Sequence, residues 1–383
     1  MSNVLMGFVG DMLVHRDYPR EAFHQVRDVL RVPRILFGNL EGAYADHPHP
    51  TPSAYAVVGA PAHNLNVYSE VGFNVVSMAS NHILDMGYEA MLETRSRLRA
   101  QGVKTCGAGE CLADAREPAI LDADGLRVAF LGYASIFPVG YEARSNAPGL
   151  VPVRAYKFSR DSTPGSYPGG DPLVITTTDE SDLTCLAEDI DKARQRADLV
   201  IASFHWGEFS RPFYLTEHEK RTARYCIDQG ADMVVGHHHH ALRGMEWYQG
   251  KPIMYGLGNF VFDLRLNLSD EVRKQLLTPG EEDISYRVGP REGWPLLPLH
   301  KDTRMSVFAW ASAGKNGVSD IGFLPCGLTP DGVIHPLRLG SPESDAVVAY
   351  LDKCNKTQQL SCALETEGSQ TLAGYRTLRV IPG

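Results

Sequence analysis

The chain has 383 residues, of which 43% are hydrophobic, and it carries a formal net charge of −9. This composition is that of a globular protein and excludes a fibrous or disordered chain. The acidic balance argues against a nucleic-acid binder that relies on a basic face, so we expect no nucleic-acid partner. It does not restrict small substrates, because the field of a local site can oppose the net charge.

The start of the chain and its cysteines predict the cellular setting. The first residues, MSNVLMGFVGD, lack the basic start, the longer apolar run and the small-residue cleavage site of a signal peptide. No apolar run approaches the length of a membrane span, so we expect no membrane partner. The seven cysteines show no CxxC spacing, which is typical of reduced thiols. We therefore expect a cytoplasmic protein.

Short apolar runs that end in polar residues recur along the chain and are typical of buried strands. Helical spacing lies between them at residues 18–32 and 86–101. A third helix is predicted in TEHEKRTARYCIDQG, where Thr216 and Glu219 form a capping box and Gly230 is a stop signal. This alternation predicts α/β layering. The predicted strand runs are VLMGFVGD, RILFGNLE, NVVSMASNH, ADLVIASFHWGE, ADMVVGHHHH and KPIMYGLGN.

Two long segments interrupt the alternation of strands and helices. Residues 137–176 are rich in proline and glycine, and residues 264–304 contain REGWPLLPLHKDTR. Long connections that follow strands are either substrate-contacting loops or surface insertions, and the sequence leaves both alternatives open.

The rest of the chain predicts further strands over residues 305–339, followed by a helix near residues 342–354. Neither an internal repeat nor a linker separates these elements from the preceding ones. We therefore predict one domain over residues 1–340, with a C-terminal helix and tail, residues 341–383, packed on it.

The polar residues at the ends of the predicted strands are candidate metal ligands. Ligands of open α/β sheets bind beyond the carboxyl ends of the strands, so these residues are expected to converge. Each one alone could be a cap, a turn former or a surface residue, but their shared placement favours a metal site. A two-metal site also needs open positions for water and substrate. The candidates are Asp11, Glu41, Asn81, His205 and two members of the histidine run 237–240.

Four consecutive histidines follow the apolar stretch MVV in the middle of the chain, where a purification tag would not lie. In an H-x-H pair that leaves a strand, both side chains point to the same side, because side chains alternate. We therefore predict His238 and His240 as ligands and expect His237 and His239 to face the other way. Replacement of His239 is expected to leave the metal content nearly unchanged.

The motifs GDMLVHR, NLEG, ASNHILDMGYEAMLET, FHWGE and residues 230–263 resemble the CapA family. That family is named for poly-γ-glutamate capsule synthesis and is similar in fold to calcineurin-type metallophosphoesterases. The resemblance implies an α/β fold, a four-layer α/β/β/α sandwich of the metallophosphoesterase type with long insertions near the site. It implies one or two divalent ions of Mn, Zn, Fe, Co or Ni, with one carboxylate bridging. The implied ligands are Asp11, Glu41, Asn81, His205, His238 and His240.

The resemblance also implies roles for two further residues. His82 matches the metallophosphoesterase histidine that contacts a substrate oxygen and can donate a proton. Arg16 matches a basic residue of the family that would contact substrate, and a structural ion pair is its alternative.

Three features of the sequence depart from the family pattern. His239 replaces the proline that commonly lies between the last two ligand histidines. Leu13 replaces the histidine of the Asp-x-His motif, which leaves a single-ion site open. Capsule CapA proteins are usually membrane-anchored, and this sequence shows no anchor, which argues against a capsule role.

Two reactions fit the predicted site. In hydrolysis of a phosphoester or amide, the metal activates water and His82 protonates the leaving group. In epimerisation of a peptide residue, the metal polarises a carbonyl while two acid/base groups exchange the α-proton. The family includes an epimerase that acts on a lasso-peptide precursor, and two long segments suit a peptide substrate. We favour the epimerase over the hydrolase, and the complete ligand set argues against a non-catalytic binding protein.

For the epimerase, Asp11 and His300 are the candidate acid/base groups, although His300 could also be an ordinary loop histidine. The expected partner is a peptide substrate. Four residues are candidates for lining the groove that would bind this peptide. Each of them could instead be a packing or surface residue. These candidates are Tyr141, Arg144, Arg211 and Trp294.

Overall fold

The computed structural model describes residues 3–162, 169–266, 286, 288–366 and 369–383. Within these residues the α-helices are α1 (Arg27–Leu30), α2 (Asn66–Val71), α3 (Tyr88–Ala100), α4 (Leu112–Ala115), α5 (Glu180–Arg194), α6 (Glu217–Asp228) and α7 (Pro342–Gln358). Short 3₁₀ helices span Pro19–Phe23, Ala62–Leu65 and Lys301–Arg304.

The strands of the described residues, in chain order, are β1 (Val4–Leu13), β2 (Ile35–Leu40), β3 (Ala43–Tyr44), β4 (Gly59–Ala60), β5 (Val75–Ser77), β6 (Lys104–Cys106), β7 (Ala108–Gly109), β8 (Ala119–Ala123), β9 (Leu126–Ala134), β10 (Gly149–Leu150), β11 (Ala155–Asp161), β12 (Pro172–Thr178), β13 (Leu199–His205), β14 (Met233–His237), β15 (Met245–Tyr248), β16 (Lys251–Met254), β17 (Asn259–Phe262), β18 (Met305–Gly314), β19 (Gly317–Leu328), β20 (Ile334–Pro336), β21 (Ala363–Glu365), β22 (Thr371–Leu372), β23 (Tyr375–Arg376) and β24 (Leu378–Ile381).

Two sheets pack face to face and enclose an apolar layer. The larger sheet has the strand order β21-β24-β19-β18-β1-β2-β5-β6, with β17 paired to β1 and β20 paired to β19. The smaller sheet has the order β15-β16-β14-β13-β9-β8. Phe37 of the larger sheet stacks on Phe130 of the smaller one with ring centroids 5.2 Å apart. Alternate residues of β13, including Leu199 and Ile201, face the same layer, as the two-residue period of a strand requires.

Helices cover the outer face of each sheet. Leu30 of α1 and Met91 of α3 pack on the larger sheet, and Leu186 of α5 and Ile227 of α6 pack on the smaller one. The layers are therefore helix, sheet, sheet and helix, which confirms the predicted α/β/β/α sandwich.

The capping signals of α6 are confirmed, whereas the predicted helix over residues 18–32 is corrected. The Thr216 hydroxyl and the Glu219 carboxylate form the capping box, and Gly230 follows the helix with a φ of 107°. Residues 18–32 instead form the 3₁₀ helix Pro19–Phe23 and the short α1. The helix ends early because Pro33 disfavours helical conformation at the residue before it.

The two long segments differ in what the structure describes. Residues 137–176 contain β10 and most of an antiparallel β11–β12 hairpin in which Phe158 pairs with Ile175. Of residues 264–304, positions 267–285 and 287 lie outside the described residues, and the 3₁₀ helix Lys301–Arg304 leads into β18.

The C-terminal residues add both a helix and strands. Val347 and Leu351 of α7 are buried in the apolar layer between the sheets. β24 pairs with β19 and β21 pairs with β24, so the tail extends the larger sheet. In the described part of the chain, no helix has the length and apolarity needed to cross a bilayer.

The carboxyl ends of the parallel strands meet at one edge of the sandwich. β1 runs parallel to β2 and β17, β2 to β5, and β13 to β14. The Asp11 amide donates to the Gly258 carbonyl at 2.9 Å, which draws β1 against the segment before β17. A Cβ at Gly10 would lie 1.9 Å from that carbonyl oxygen, so only glycine permits this approach. This edge holds the predicted ligand residues.

Candidate metal centre

Asp11 lies within β1 and is fully buried. Its Oδ2 accepts the His238 amide at 3.1 Å, and its Oδ1 accepts the Asn39 side-chain amide at 2.9 Å. Burial raises the pKa of Asp11 from 3.8 to about 7, and these two hydrogen bonds oppose the rise. A bound cation would restore the charged carboxylate.

Glu41 follows β2 and is also fully buried. Among the described residues, neither of its carboxylate oxygens has a hydrogen-bond partner. Burial raises the pKa of Glu41 well above its ordinary value, and the neighbouring charges of Asp11 and Asp85 raise it further. A buried carboxylate without donors is strongly unfavourable unless a cation compensates it. Its environment is therefore that of a metal ligand.

His205 ends β13 and connects three of the candidate ligands. Its Nε2 lies 2.8 Å from Asn81 Oδ1, 3.2 Å from His238 Nδ1 and 3.9 Å from Glu41 Oε1. Four polar groups thus face a common point on one side of Glu41, which suits coordination of a cation.

His240 approaches the carboxylates from another side. Its Nε2 lies 3.7 Å from Glu41 Oε1, and its Nδ1 lies 3.7 Å from Asp11 Oδ2 and 2.9 Å from Asn259 Oδ1. The Asn259 contact orients the ring, in the way that hydrogen bonds commonly orient metal-ligating histidines.

The histidines of the site are held in the neutral form that coordinates metals. Burial and the neighbouring imidazoles lower the pKa of His205 and of His238 well below the ordinary value. Burial lowers the pKa of His240 to about 4, with the Asn259 hydrogen bond opposing the shift. Neutral imidazole nitrogens near neutral pH do not have to lose a proton before they bind a metal.

The donor set fits one or two divalent ions. Asp11, Glu41 and His205 each offer a ligand atom, and these atoms lie within 4.8 Å of one another. The Glu41 Oε1 atom lies 3.7 Å from His240 Nε2 and 3.9 Å from His205 Nε2, so one carboxylate oxygen is close to both imidazoles. Carboxylate, amide and imidazole ligands together suit Mn, Fe, Co, Ni or Zn.

The shared orientation of His238 and His240 has a different cause from the one expected. β14 ends at His237, so neither residue lies in a strand and strand alternation does not orient them. Both have left-handed backbone conformations, with φ of 94° at His238 and 57° at His240. Such conformations are unfavourable for residues other than glycine and concentrate at functional sites. A strained turn therefore brings both rings to the carboxylates.

The other two histidines of the run differ from each other. The expectation that His237 faces away is wrong, because its Nδ1 lies 3.7 Å from Asp11 Oδ1. Within the described residues, neither ring nitrogen of His237 has a hydrogen-bond partner. His239 does face away, and its Nε2 lies 2.8 Å from Glu219 Oε1.

His82 lies beside the donor set and is partly accessible to solvent. Its Nδ1 is 2.7 Å from Asp85 Oδ2, and its side chain is 12% exposed. Asp85 also accepts the Val58 amide at 2.9 Å, which fixes the carboxylate. The Tyr55 ring meets the His82 ring edge-to-face with centroids 5.6 Å apart. This arrangement suits a proton-transferring histidine with an orienting carboxylate.

Tyr141 and Arg16 were expected to contact substrate, but both are engaged inside the protein. Tyr141 is fully buried, and its hydroxyl donates to Asp85 Oδ1 at 2.7 Å. This hydrogen bond helps to fix the position of the Asp85 carboxylate. The Arg16 guanidinium pairs with the buried Asp263 carboxylate and donates to the Gly332 carbonyl at 2.9 Å. For Arg16, the alternatives were contact with substrate and a structural ion pair. The structure contains the ion pair, with Asp263.

His300 is buried and immediately precedes the 3₁₀ helix Lys301–Arg304. Its Nδ1 accepts a hydrogen bond from the Asp302 amide at 3.1 Å. Its ring stacks on the Tyr286 ring, with the ring centroids 3.8 Å apart. The same turn contacts Asn259, whose side chain donates to the Thr303 carbonyl at 3.5 Å. Asn259 in turn contacts a candidate ligand, so the His300 turn adjoins the donor set.

The remaining predicted groove residues contact neighbours in their own segments. Arg144 is exposed, with its guanidinium 3.5 Å from the Glu142 carboxylate. The Arg211 guanidinium lies 3.7 Å from the centre of the Tyr214 ring. The Arg304 guanidinium carbon lies 4.0 Å from the centre of the Trp294 ring.

Three residues that support the site were not among the site residues predicted from the sequence. Asn39 is a buried amide inside the apolar strand β2, and polar residues are uncommon at such positions. Asp85 follows His82 by three residues, a spacing that allows contact within one turn. Asn259 was interpreted as the end of a strand but begins β17. The local sequence pattern could therefore have indicated a supporting role for Asn39 and Asp85, but not for Asn259.

Comparison with known proteins places the chain among relatives of similar sequence. The family described as bacterial capsule synthesis protein PGA_cap matches residues 6–264. The PGA biosynthesis protein CapA of Bacillus subtilis is 28% identical over 272 residues, covering 67% of this chain and 62% of that protein. The protein y4sH of Sinorhizobium fredii is 30% identical over 317 residues, covering 68% of each chain.

Among solved structures, the calcineurin-like phosphoesterase YfkN from Bacillus subtilis aligns with 93% of this chain and 98% of that chain, at 11% identity and a TM-score of 0.35. The sequence match, which includes every candidate ligand, shows that the chain belongs to the bacterial capsule synthesis protein family PGA_cap.

Proposed function

We propose that the protein is a metal-dependent enzyme that epimerises an amino-acid residue within a peptide or another polyamide. The observation that carries this proposal is that His82 adjoins Asn81 of the buried donor set, and that the turn following His300 contacts Asn259, which orients His240. His82 follows β5, and His300 precedes the 3₁₀ helix whose Thr303 contacts Asn259. Epimerisation needs two acid/base groups, one to remove the α-proton and one to return a proton on the opposite face.

The Nδ1 atoms of the two histidines have different hydrogen-bond partners. The Asp85 carboxylate accepts the Nδ1 proton of neutral His82, which leaves a lone pair at Nε2. The Asp302 amide donates to Nδ1 of His300, which places the proton of neutral His300 on Nε2. We assign removal of the α-proton to His82 and the return of a proton on the opposite face to His300.

A divalent metal held by the donor set would polarise the carbonyl beside the α-carbon and so make its proton more acidic. Asp11 was a candidate base, but both of its oxygens already accept hydrogen bonds. We assign Asp11 to metal binding and the proton transfer to His82 and His300.

The names of the relatives support a polyamide substrate. The Bacillus subtilis relative is named for PGA biosynthesis, and a Mycobacterium tuberculosis relative, 31% identical over 194 residues, is named as a probable polyglutamine synthesis accessory protein. Chains of amide-linked residues carry the carbonyl and the α-proton that the proposed reaction needs. Tyr55, beside His82 and 67% exposed, supports the view that substrate approaches from this side.

The proposal is tested by hydrogen exchange in D₂O. The protein, loaded with Mn²⁺ or Co²⁺, is incubated with poly-γ-L-glutamate oligomers or with linear peptides of L-residues. We expect one deuterium at an α-carbon, a D-residue after hydrolysis and chiral analysis, and an intact chain. Cleavage products without α-exchange would overturn the epimerase.

Hydrolysis is the second candidate, and the accessibility of His82 favours it. A single solvent-reachable histidine held by a carboxylate suits protonation of a leaving group, which needs no second acid/base group. p-Nitrophenyl phosphate and its bis-ester test this alternative directly. Metal-dependent release of p-nitrophenol that is lost in His82→Gln but retained in His300→Gln would support hydrolysis instead of epimerisation.

A further inference from the structure

His239 is buried in a closely fitted cleft behind the metal centre. Its Nε2 lies 2.8 Å from Glu219 Oε1, and both side chains are at most 1% exposed. A Cβ at Gly207 would lie 2.2 Å from His239 Nε2 and 2.6 Å from Glu219 Oε1. A Cβ at Gly256 would lie 2.8 Å from His239 Nδ1. The two glycines therefore leave the space that the imidazole and the carboxylate fill.

Glu219 is itself fixed by the start of α6. Its Oε2 accepts the Thr216 amide at 2.7 Å and the Thr216 hydroxyl at 2.6 Å, as part of the capping box. Its Oε1 is directed at His239. The capping carboxylate thus ties the first turn of a helix to the middle of the histidine run.

The residues on either side of His239 are the strained ones. His238 and His240 have φ of 94° and 57°, and both contribute rings to the donor set. A turn with two non-glycine residues in the left-handed region persists only where its surroundings hold it. His239 lies between them, and its side chain anchors the turn to α6.

We propose that Glu219 and His239 are positioning residues of the metal centre, whose hydrogen bond holds the left-handed turn that presents His238 and His240. This inference rests on the metal-dependent function proposed above. It also changes the expectation for His239, since a residue that binds no metal is now required for tight metal binding.

The test measures Co²⁺ binding to metal-free protein by calorimetric titration and by the visible absorption of bound Co²⁺, without substrate. His239→Ala is expected to weaken Co²⁺ binding by about 10–100-fold, the usual effect of removing a residue that orients ligands. The Co²⁺ spectrum is expected to change as well, because the ligand rings move. Glu219→Ala should have the same effects.

A double-mutant cycle distinguishes a shared role from two separate ones. If the pair acts as a unit, the variant carrying both His239→Ala and Glu219→Ala should bind Co²⁺ about as well as either single variant. Thr216→Val is the matched control, because it removes a hydrogen bond to the other oxygen of the same carboxylate. It should lower the unfolding temperature but keep the Co²⁺ dissociation constant within about twofold of wild type, since His239 retains its partner.

Gly207→Ala provides a second route should His239→Ala fail to fold. It keeps both partners, but its methyl group would lie 2.2 Å from His239 Nε2 and the residue has a φ of 89° that favours glycine, so it should also weaken Co²⁺ binding. Unchanged Co²⁺ affinity and spectrum in folded His239→Ala or Gly207→Ala would overturn the inference. A wild-type protein that binds no divalent ion would instead overturn the proposed function.

Discussion

At the scale of residues, His82 is held at one ring nitrogen and open at the other. Asp85 holds Nδ1 and is itself held by the Val58 amide and the Tyr141 hydroxyl. The side chain remains 12% exposed, whereas the candidate metal ligands are almost completely buried. This difference would separate the proposed proton transfer from the proposed metal binding, so substitutions should remove the two roles independently.

His82→Gln is expected to lower the rate of α-exchange by about 10²–10⁴-fold, because general acid/base catalysis contributes that much. Co²⁺ affinity should stay at the wild-type value, since His82 is not assigned to the ligand set. Tyr141→Phe, which removes one hydrogen bond to Asp85, should reduce the rate much less. Full exchange activity in His82→Gln would contradict the assigned role.

At the scale of elements, the candidate metal centre depends on the close approach of β1 and the segment that precedes β17. The Asp11 amide donates to the Gly258 carbonyl, and Gly10 leaves the space for this contact. The approach sets Asp11 opposite Asn259 in the strand register. Asn259 then orients His240, so one strand contact aligns ligands from two sheets.

Gly10→Ala is expected to destabilise the protein by about 1–3 kcal/mol, because the added methyl group overpacks a filled region. It should also weaken metal binding, since β1 must move away from Gly258 and carry Asp11 with it. Urea unfolding and Co²⁺ titration measure the two effects. Gly314→Ala is the control, since its Cβ would meet only the flexible Asn3 side chain at 3.0 Å. Equal behaviour of the two variants would refute the argument.

At the scale of the whole molecule, the buried histidines link stability to pH. Their pKa values are lowered from 6.5, to about 3 for His237 and about 4 for His240, mainly by burial. The unfolded chain therefore binds more protons below pH 6.5, and stability rises with pH up to that value. Three buried carboxyl groups act in the opposite direction, because burial raises the pKa of Asp11 to about 7 and also raises the pKa values of Glu41 and Glu219. The lowered pKa values of His205, His238 and His239 add to the histidine effect, which should dominate.

The midpoint of urea unfolding, measured in EDTA, is therefore expected to increase between about pH 4.5 and pH 6.5, as this linkage requires.

At pH 7, Co²⁺ at a hundred times its dissociation constant should add about 2.7 kcal/mol to the free energy of unfolding. A midpoint that falls over this pH range, or a free energy that Co²⁺ leaves unchanged, would contradict this account.

Much of the fold and of the ligand set could be predicted from local patterns. The apolar runs predicted β2, β13 and β14, because a buried strand needs a continuous run of apolar residues. The capping box and Gly230 predicted the ends of α6 through local hydrogen bonding. The irregular helix at residues 18–32 was beyond such patterns, because apolar spacing does not distinguish α-helix from 3₁₀ turns.

The sequence by itself determined the alternation of strands and helices and the polar residues that lie at the strand ends, because periodicity and spacing are local properties. The tertiary structure alone decided which side chains share one point in space. It turned His237 towards Asp11, bound His239 to Glu219 and placed Tyr141 behind Asp85. These contacts join residues far apart in the chain, and the left-handed turn at His238 and His240 exists only because the surrounding packing stabilises it.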